Sequence, residues 1–395
     1  MRARHFSRRH FIQRTLAASA GAIAALRGTP GGLLAAEEAA DSLAPASRRA
    51  EAKVAIVSCC SYGPEVSKAL SKCFDLLGGI GPLVRNKTVT VKLNLTNGSF
   101  ARFLGRPPGE TFLTHPATAH ALCAALFAAG AARVRLVESM PRRDELASSL
   151  ALGDWDLKAM EALGKVEFEN TRNLGTGRKY AHLRVPTGGH MFSSFEFNHA
   201  YADTDVMVSL AKLKNHVTAG VTLSMKNMFG ITPNSLYGDE AGSEDATAGR
   251  QCLHTSRGFE EIKLPGLKEG ITSADPTWRV PRIVVDLCAA RPVHLAIIDG
   301  ITAMSGGEGP WCSEAGPVKP TTPGVLIVGL NPVSTDAVGT AVMGYKNPRA
   351  VRGVPPFGIC DNHLLLAEQA GLGVADLAQI DLRGVPLEKA RCPYI

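Results

Sequence analysis

The sequence lacks three features that define common classes of protein. None of its nine cysteines form a C-x-x-C pair, the spacing typical of ferredoxin-type iron–sulfur and zinc sites. No segment after residue 36 approaches the roughly 20 apolar residues that span a bilayer. Aromatic residues make up only 6% of the chain and do not alternate with basic ones. We therefore expect no iron–sulfur cluster, no cysteine zinc site and no stable membrane anchor.

The positive charge lies mostly at the N-terminus. The whole chain has a formal net charge of +7, but residues 1–36 contain six arginines and no acidic residue. Only about +1 remains for the rest of the chain, so the alkaline pI is largely a property of this segment. A near-neutral remainder without a basic stripe argues against a nucleic-acid partner.

Residues 1–36 match a twin-arginine export signal. Ser7–Gln13 reads S-R-R-H-F-I-Q, and Thr15–Leu26 is a short, mildly apolar run rich in Ala and Gly. This order predicts recognition by the twin-arginine export machinery and a periplasmic or otherwise exported location. Residues 37–51, rich in Ala, Glu, Ser and Arg, predict a linker.

Strand-like and helix-like segments alternate after the linker. KVAIVS at 53–58 and TVTVKLNL at 88–95 are β-branched runs, and the amphipathic segment 65–77 between them stops at two glycines. This alternation predicts parallel βαβ units with right-handed crossovers. We therefore predict an α/β fold with a mostly parallel sheet and flanking helices.

The predicted α/β region covers residues 52–395. We expect two lobes, at about 52–200 and 201–395, with a cleft between them, because a region of this length commonly divides.

Polar residues follow several predicted strands, where ligands bind in open α/β sheets. Lys and Asn can hold a carboxylate or phosphate, and His can exchange a proton near neutral pH. The predicted binding residues are Lys92, Asn94, Lys212, Lys214, Lys226 and Asn227, and the predicted catalytic residues are His216, His115 and Asp299. The pattern predicts an anionic small molecule or cofactor as the ligand, without identifying it and without a metal-ligand set.

Other interpretations of these residues remain open. Lys92 could be solvated at a strand end, His115 could simply bond a loop, and Glu138 could pair with Arg133 or Arg135. Lys226 has mainly apolar neighbours in sequence, which favours partial burial and a ligand role.

Five stretches resemble the domain-of-unknown-function-362 family. They are VKLNLTNG at 91–98, the segment 114–139 beginning THPATAHALC, LAKLKNHVTAGVTLSMKNMFGI at 210–231, LAIIDGITAMSGGEGP at 295–310, and 324–344. The resemblance covers nearly everything after the linker. It implies the fold but no reaction, because the family has no settled activity. Some relatives carry a ferredoxin-like segment, and this chain lacks the cysteines for it.

A shorter stretch is similar to lactate racemases, which use a nickel-pincer nucleotide. HVTAGVTLSMK, from His216 to Lys226, resembles their H-x-x-A-G segment and the lysine that follows it. The resemblance implies acid–base chemistry for His216 and a cofactor tether at Lys226. It departs at Thr222–Met225, where a Ser-Gly-Gly run is missing, and His254 is only a loose counterpart of the nickel ligand.

The leading hypothesis is an exported protein that binds an anionic molecule in a cleft lined by Lys and His. Proton or hydride transfer next to a carbonyl or carboxylate would be its chemistry. One alternative is a non-catalytic binding or maturation factor for an envelope redox or metal enzyme. A second alternative is a metal-dependent hydrolase that uses Asp299, His216 and Glu138.

Overall fold

The structure is a computed structural model. It describes residues 52–255, 263–314 and 317–394. The predicted export signal and linker lie outside the described residues.

The described part contains short strands and helices in alternation. The strands are β1 (Lys53–Ser58), β2 (Thr88–Lys92), β3 (Arg133–Glu138), β4 (Val166–Asn170), β5 (Ala181–Arg184), β6 (Ser194–Phe197), β7 (Val206–His216), β8 (Gly220–Val221), β9 (Leu295–Ser305), β10 (Lys319–Thr321), β11 (Val325–Gly329) and β12 (Asp381–Gly384). The helices are α1 (Glu65–Leu77), α2 (Gly81–Val84), α3 (Pro116–Ala128), α4 (Leu146–Ala151), α5 (Leu157–Glu161), α6 (Leu223–Asn227), α7 (Asn234–Tyr237), α8 (Gln251–His254), α9 (Pro276–Ala290), α10 (Pro332–Val342), α11 (His363–Gln369) and α12 (Leu387–Ala390).

One large sheet has the strand order β12-β1-β11-β9-β7-β2-β3-β4. Along this path the neighbours are parallel, except that β11 runs antiparallel to both β1 and β9. This confirms the predicted α/β fold with a mostly parallel sheet. The two-lobe cleft is not confirmed, because β7, from the second predicted lobe, lies between β2 and β9 in the same sheet.

Helices cover both faces of the sheet, so its central strands are apolar on both sides. On β1, Val54 and Ile56 face a core that includes α9 and α10, whereas Ala55 faces a core that includes α1 and α3. This alternation follows from the two-residue period of a strand. Among the described residues no helix is both long and apolar enough to cross a bilayer.

The parallel strands bring their carboxyl ends to the same edge of the sheet. In the register of the sheet Lys92 lies beside Ser209, and Lys212 lies beside Asp299. The polar residues that the sequence places after separate strands are therefore neighbours in space.

Candidate functional site

The four predicted binding lysines are all buried at or near this edge. Lys212 and Lys214 are fully buried, Lys92 is 1% exposed and Lys226 is 7% exposed. A charged group removed from water is costly unless a partner compensates it. The partners of each ammonium group therefore show what the site can do.

Lys92 forms an ion pair with a carboxylate. Its Nζ lies 2.6 Å from Oε1 of Glu138, whose Oε2 accepts a hydrogen bond from the backbone N–H of Leu95 at 2.8 Å. The alternative in which Glu138 pairs with Arg133 or Arg135 is wrong, because both arginines pair with Glu167 and Asp203 instead. The solvated alternative for Lys92 is also wrong, since the side chain is buried.

The two predicted asparagines contact each other beside this pair. Asn94 Nδ2 donates to Asn227 Oδ1 at 2.9 Å, and Asn227 Nδ2 donates to Ser209 Oγ at 3.0 Å. Asn94 Oδ1 is buried and meets no donor within the described part of the chain. An unsatisfied buried acceptor is uncommon, so Asn94 has capacity for one more donor.

Lys212 is compensated by a second carboxylate and by a tyrosine. Its Nζ lies 3.2 Å from Asp299 Oδ2 and donates to the Tyr62 hydroxyl at 2.6 Å. Tyr62 in turn donates to Asp299 Oδ1 at 3.0 Å, and Thr118 donates to Oδ2 at 3.0 Å. Asp299 is thus enclosed by donors. Tyr62 was missed by the sequence reasoning because it lies in a loop without a strand-end signal.

His115 joins this group by stacking. Its ring lies parallel to that of Tyr62, with 3.5 Å between centroids. Nδ1 accepts a hydrogen bond from Ala117 N at 3.1 Å and caps α3, which leaves the proton on Nε2. Burial and the nearby Lys212 lower the pKa of His115 to about 4. The ring is therefore neutral at physiological pH.

Lys214 has no carboxylate within ion-pair distance among the described residues. Its Nζ donates to two backbone carbonyls, Phe112 O at 2.7 Å and Glu308 O at 2.9 Å. Burial lowers the pKa of Lys214 to about 7, although the carboxylate of Glu308 acts in the opposite direction.

Lys226 contacts an imidazole instead of an acid. His254 Nδ1 lies 3.1 Å from the carbonyl of Arg250 and must donate to it, so Nε2 accepts from Lys226 Nζ at 3.2 Å. The ammonium group also lies over the ring of Phe229, 4.3 Å from the centroid. Burial lowers the pKa of Lys226 to about 7, despite the opposing effect of Glu308.

His216 lies next to this contact. Its ring stacks on that of His254 at 5.9 Å, and its Nδ1 accepts from the backbone N–H of Thr218 at 3.1 Å. Burial, followed by the charge of Lys226, holds the pKa of His216 well below its usual range. His216 is therefore a neutral ring that keeps its proton on Nε2.

The lysines form two classes that lie within electrostatic range of one another. Lys92 and Lys212 each have a carboxylate, whereas Lys214 and Lys226 have neutral partners, and the charge of Lys214 contributes to the lowered pKa of Lys226. At neutral pH the second class is divided between ammonium and amine. Such groups can bind an anion in one form and accept a proton in the other.

A cavity of about 330 Å³ opens beside His216. Its lining comes from the end of β7, the glycine-rich segment after β9 and the C-terminal part of the chain: Asn215, His216, Val217, Gly220, Ser305, Gly306, Gly307, Pro317, Lys319, Tyr345, Pro356 and Tyr394. Of the predicted site residues, His216 lies in this lining.

The arrangement of the described residues gives little support to a metal-dependent hydrolase or to a nickel site. Across the described residues, no group of three or more His, Cys, Asp or Glu is arranged to hold a metal ion. The three residues of the hydrolase alternative have separate partners: Asp299 pairs with Lys212, Glu138 pairs with Lys92, and His216 stacks on His254. The residues that resemble a cofactor tether and a nickel ligand, Lys226 and His254, contact each other directly.

Comparisons with known proteins identify a family model and a relative that the chain matches. The family model described as "Domain of unknown function (DUF362)" matches residues 89–341, more than half of the chain. The thylakoid-associated protein sll1697 of Synechocystis sp. is 26% identical over 203 residues, which cover 48% of this chain and 54% of that protein.

One solved structure is also similar. The lactate racemase apoprotein from Thermoanaerobacterium thermosaccharolyticum aligns with a TM-score of 0.37 and 11% identity, over 64% of this chain and 51% of that one. The chain thus spans about half the length of both matched proteins. The match names the enzyme that the HVTAGVTLSMK stretch resembles, but a TM-score this low transfers neither its cofactor nor its reaction.

Proposed function

Because the chain belongs to the domain-of-unknown-function-362 family, whose name assigns no activity, we propose a function from the site itself. The protein binds a small oxyanion, a carboxylate or a phosphate, beside Lys214, Lys226 and His216. It exchanges a proton with the bound molecule at a position next to a carbonyl or carboxylate.

One observation carries the proposal. Lys214 and Lys226 are buried cations for which the described residues supply no carboxylate within ion-pair distance, whereas Lys92 and Lys212 each have one. An isolated buried charge is costly, and a bound oxyanion would provide the compensation that the protein does not. A charge-assisted hydrogen bond to such a ligand contributes about 1.5–3 kcal/mol.

The acid–base part of the proposal follows from the pKa values. Groups with a pKa near 7 are suited to proton transfer at neutral pH, and both lysines have this value. His216 Nε2–H would donate to the oxyanion, and a neutral lysine amine would take the proton. The redox state of the ligand would not change.

We also propose that the protein acts outside the cytoplasm. The S-R-R-H-F-I-Q motif supports this location, and the relative named as thylakoid-associated favours a membrane-linked or exported setting. The proposal leaves the non-catalytic binding factor as the alternative.

Calorimetric titration with inorganic phosphate at pH 6.5 and low salt tests the binding site. We expect Lys226→Met to weaken binding about tenfold or more, since one charge-assisted hydrogen bond is lost. Lys158→Met is the matched control, because Lys158 is exposed on α5. Equal phosphate affinity in wild type and Lys226→Met would contradict the proposal.

The reaction is tested by proton exchange. Lactate and malate are incubated with the protein in D₂O, and deuterium incorporation at the carbon next to the carboxylate is followed by NMR. We expect incorporation in wild type and its loss in Lys226→Met. Phosphate binding without any exchange would favour the non-catalytic binding factor.

A further inference from the structure

The cavity beside His216 limits the size of the ligand. Its volume of about 330 Å³ lies near the lower end of the range of ligand pockets, about 300–1,000 Å³. With about 30 Å³ for each water-sized group, it holds roughly ten non-hydrogen atoms. A dinucleotide does not fit in this volume, whereas a small organic acid does.

Much of the polar lining is already satisfied by the protein itself. Asn215 donates to the Tyr345 hydroxyl at 2.9 Å and accepts from Gly306 N at 3.1 Å. The Tyr394 hydroxyl donates to Leu213 O at 2.8 Å. The polar groups of Asn215, Tyr345 and Tyr394 therefore already have partners within the protein. Val217 and Pro356 add further apolar surface.

Three polar groups of the lining remain for a ligand. His216 has Nε2–H, because Nδ1 accepts from Thr218. Within the described part of the chain, no hydrogen bond or ion pair involves the Ser305 hydroxyl or the Lys319 ammonium group. Ser305 is 6% exposed, whereas Lys319 is exposed at the mouth. All three can donate. Ser305 and Lys319 lie beside each other on the paired strands β9 and β10, and His216 lies at the end of β7.

We propose that this cavity selects a small organic acid with two oxyanion groups separated by an apolar spacer. One oxyanion meets His216 near the buried lysines, and the other meets Lys319 at the mouth. This inference rests on the proposed function, because it places one end of the ligand at the same lysine and histidine site. It adds the ligand class and assigns specificity to Lys319.

Two acids that differ by one carboxylate test the proposal. Succinate and butyrate have the same carbon chain, and their affinities are compared by calorimetry at pH 6.5 and low ionic strength, since salt screens an exposed ammonium group. We expect wild type to bind succinate at least about fivefold more tightly, a factor suited to one partly solvated charge contact.

Three variants test whether Lys319 causes the preference for succinate. Lys319→Met should lose the preference for succinate with butyrate affinity unchanged, whereas Lys319→Arg should retain it. Lys158→Met, on a different surface, should behave as wild type. Because Lys319 is exposed, thermal unfolding should be the same in all of these proteins.

Two results would overturn the proposal in distinguishable ways. If wild type binds butyrate and phosphate but shows no preference for succinate, or if Lys319→Met keeps the preference, the two-anion assignment is wrong while the proposed function stands. If wild type binds none of the three anions, the proposed function fails and this inference fails with it.

Discussion

Replacing Lys226 with methionine should change how stability depends on pH. The folded-state pKa of Lys226 is about 7, against an ordinary value of 10.5. Each pKa unit corresponds to about 1.4 kcal/mol, so the buried charge costs the folded state up to about 5 kcal/mol. Part of this lowering of the Lys226 pKa comes from the neighbouring charges of Arg250, Lys214 and Lys92, so the cost depends on their protonation as well. We therefore expect an effect between about 2 and 5 kcal/mol.

The sign follows from proton linkage. Between pH 7 and 10.5 the unfolded chain holds a proton on Lys226 that the folded protein has released, so stability rises with pH in this window. Below pH 7 both states are protonated and the cost is fully present. Methionine, which has a similar size and no charge, removes this dependence. The variant should gain most relative to wild type at pH 6 and least at pH 10.5.

Urea unfolding at intervals from pH 6 to 10.5, with reductant to keep the cysteines reduced, measures this difference. Loss of the hydrogen bond to His254 affects the variant equally at every pH, so only the change with pH is diagnostic. Lys158→Met is the control and should give a flat difference, because this lysine is exposed. A flat difference for Lys226→Met as well would refute the reasoning that Lys226 is buried without a compensating charge.

Three further predictions concern packing, binding and export. Gly230→Ala places a Cβ 2.8 Å from the Nζ of Lys92 and should destabilise the fold by about 1–3 kcal/mol in urea unfolding, whereas Gly249→Ala has open space and should not. Phosphate binding at pH 8 should take up protons, because an anion raises the pKa of both unpaired lysines; calorimetry in buffers of different ionisation enthalpy measures this, and proton release would contradict it. Replacing Arg8 and Arg9 together with lysine should retain the protein in the cytoplasm of an expressing bacterium, and unchanged export in cell fractionation would exclude the twin-arginine route.

Local sequence patterns were sufficient to predict much of the fold. The bounds of β1 and α1 agree with the β-branched run at 53–58 and the amphipathic segment at 65–77. Helix α1 ends where expected because Gly78 adopts a left-handed conformation, with a φ of 95°, that other residues rarely adopt. These signals lie within a few residues of the element that they define, so one sequence is enough to read them.

The length of β7 could not be read in the same way. The apolar run DVMVSL predicts a buried strand over Asp205–Leu210, with Lys212 and Lys214 following it as binding residues. The strand instead continues to His216, with both lysines buried. Charged residues are possible inside the strand because Asp299 and two backbone carbonyls compensate them. Those partners lie far away in sequence, so the local periodicity of the strand cannot predict them.

Strand register explains which lysines have a carboxylate partner. Lys92 closes β2 beside the end of β3, where Glu138 is the last residue, and Lys212 lies directly beside Asp299 on β9. Two residues further along β7, the register with β9 is interrupted, and Lys214 lies beside Met304. The sequence correctly predicts that polar residues gather at this edge, but it cannot predict the register that decides their partners.

Lys226 also has no carboxylate within ion-pair distance among the described residues. Asp336, near the start of α6, accepts hydrogen bonds from the backbone N–H groups of Ser224 and Met225. The Glu308 carboxylate raises the pKa of Lys226 only from a longer distance, and Lys226 Nζ contacts His254. Methionine at this position would avoid the cost of burying an ammonium group, and replacing buried charges by apolar residues often stabilises proteins. Sites that lower stability in this way are characteristic of functional regions, where stability is given up for activity. The cost of Lys226 is therefore itself an argument that an anion completes the site.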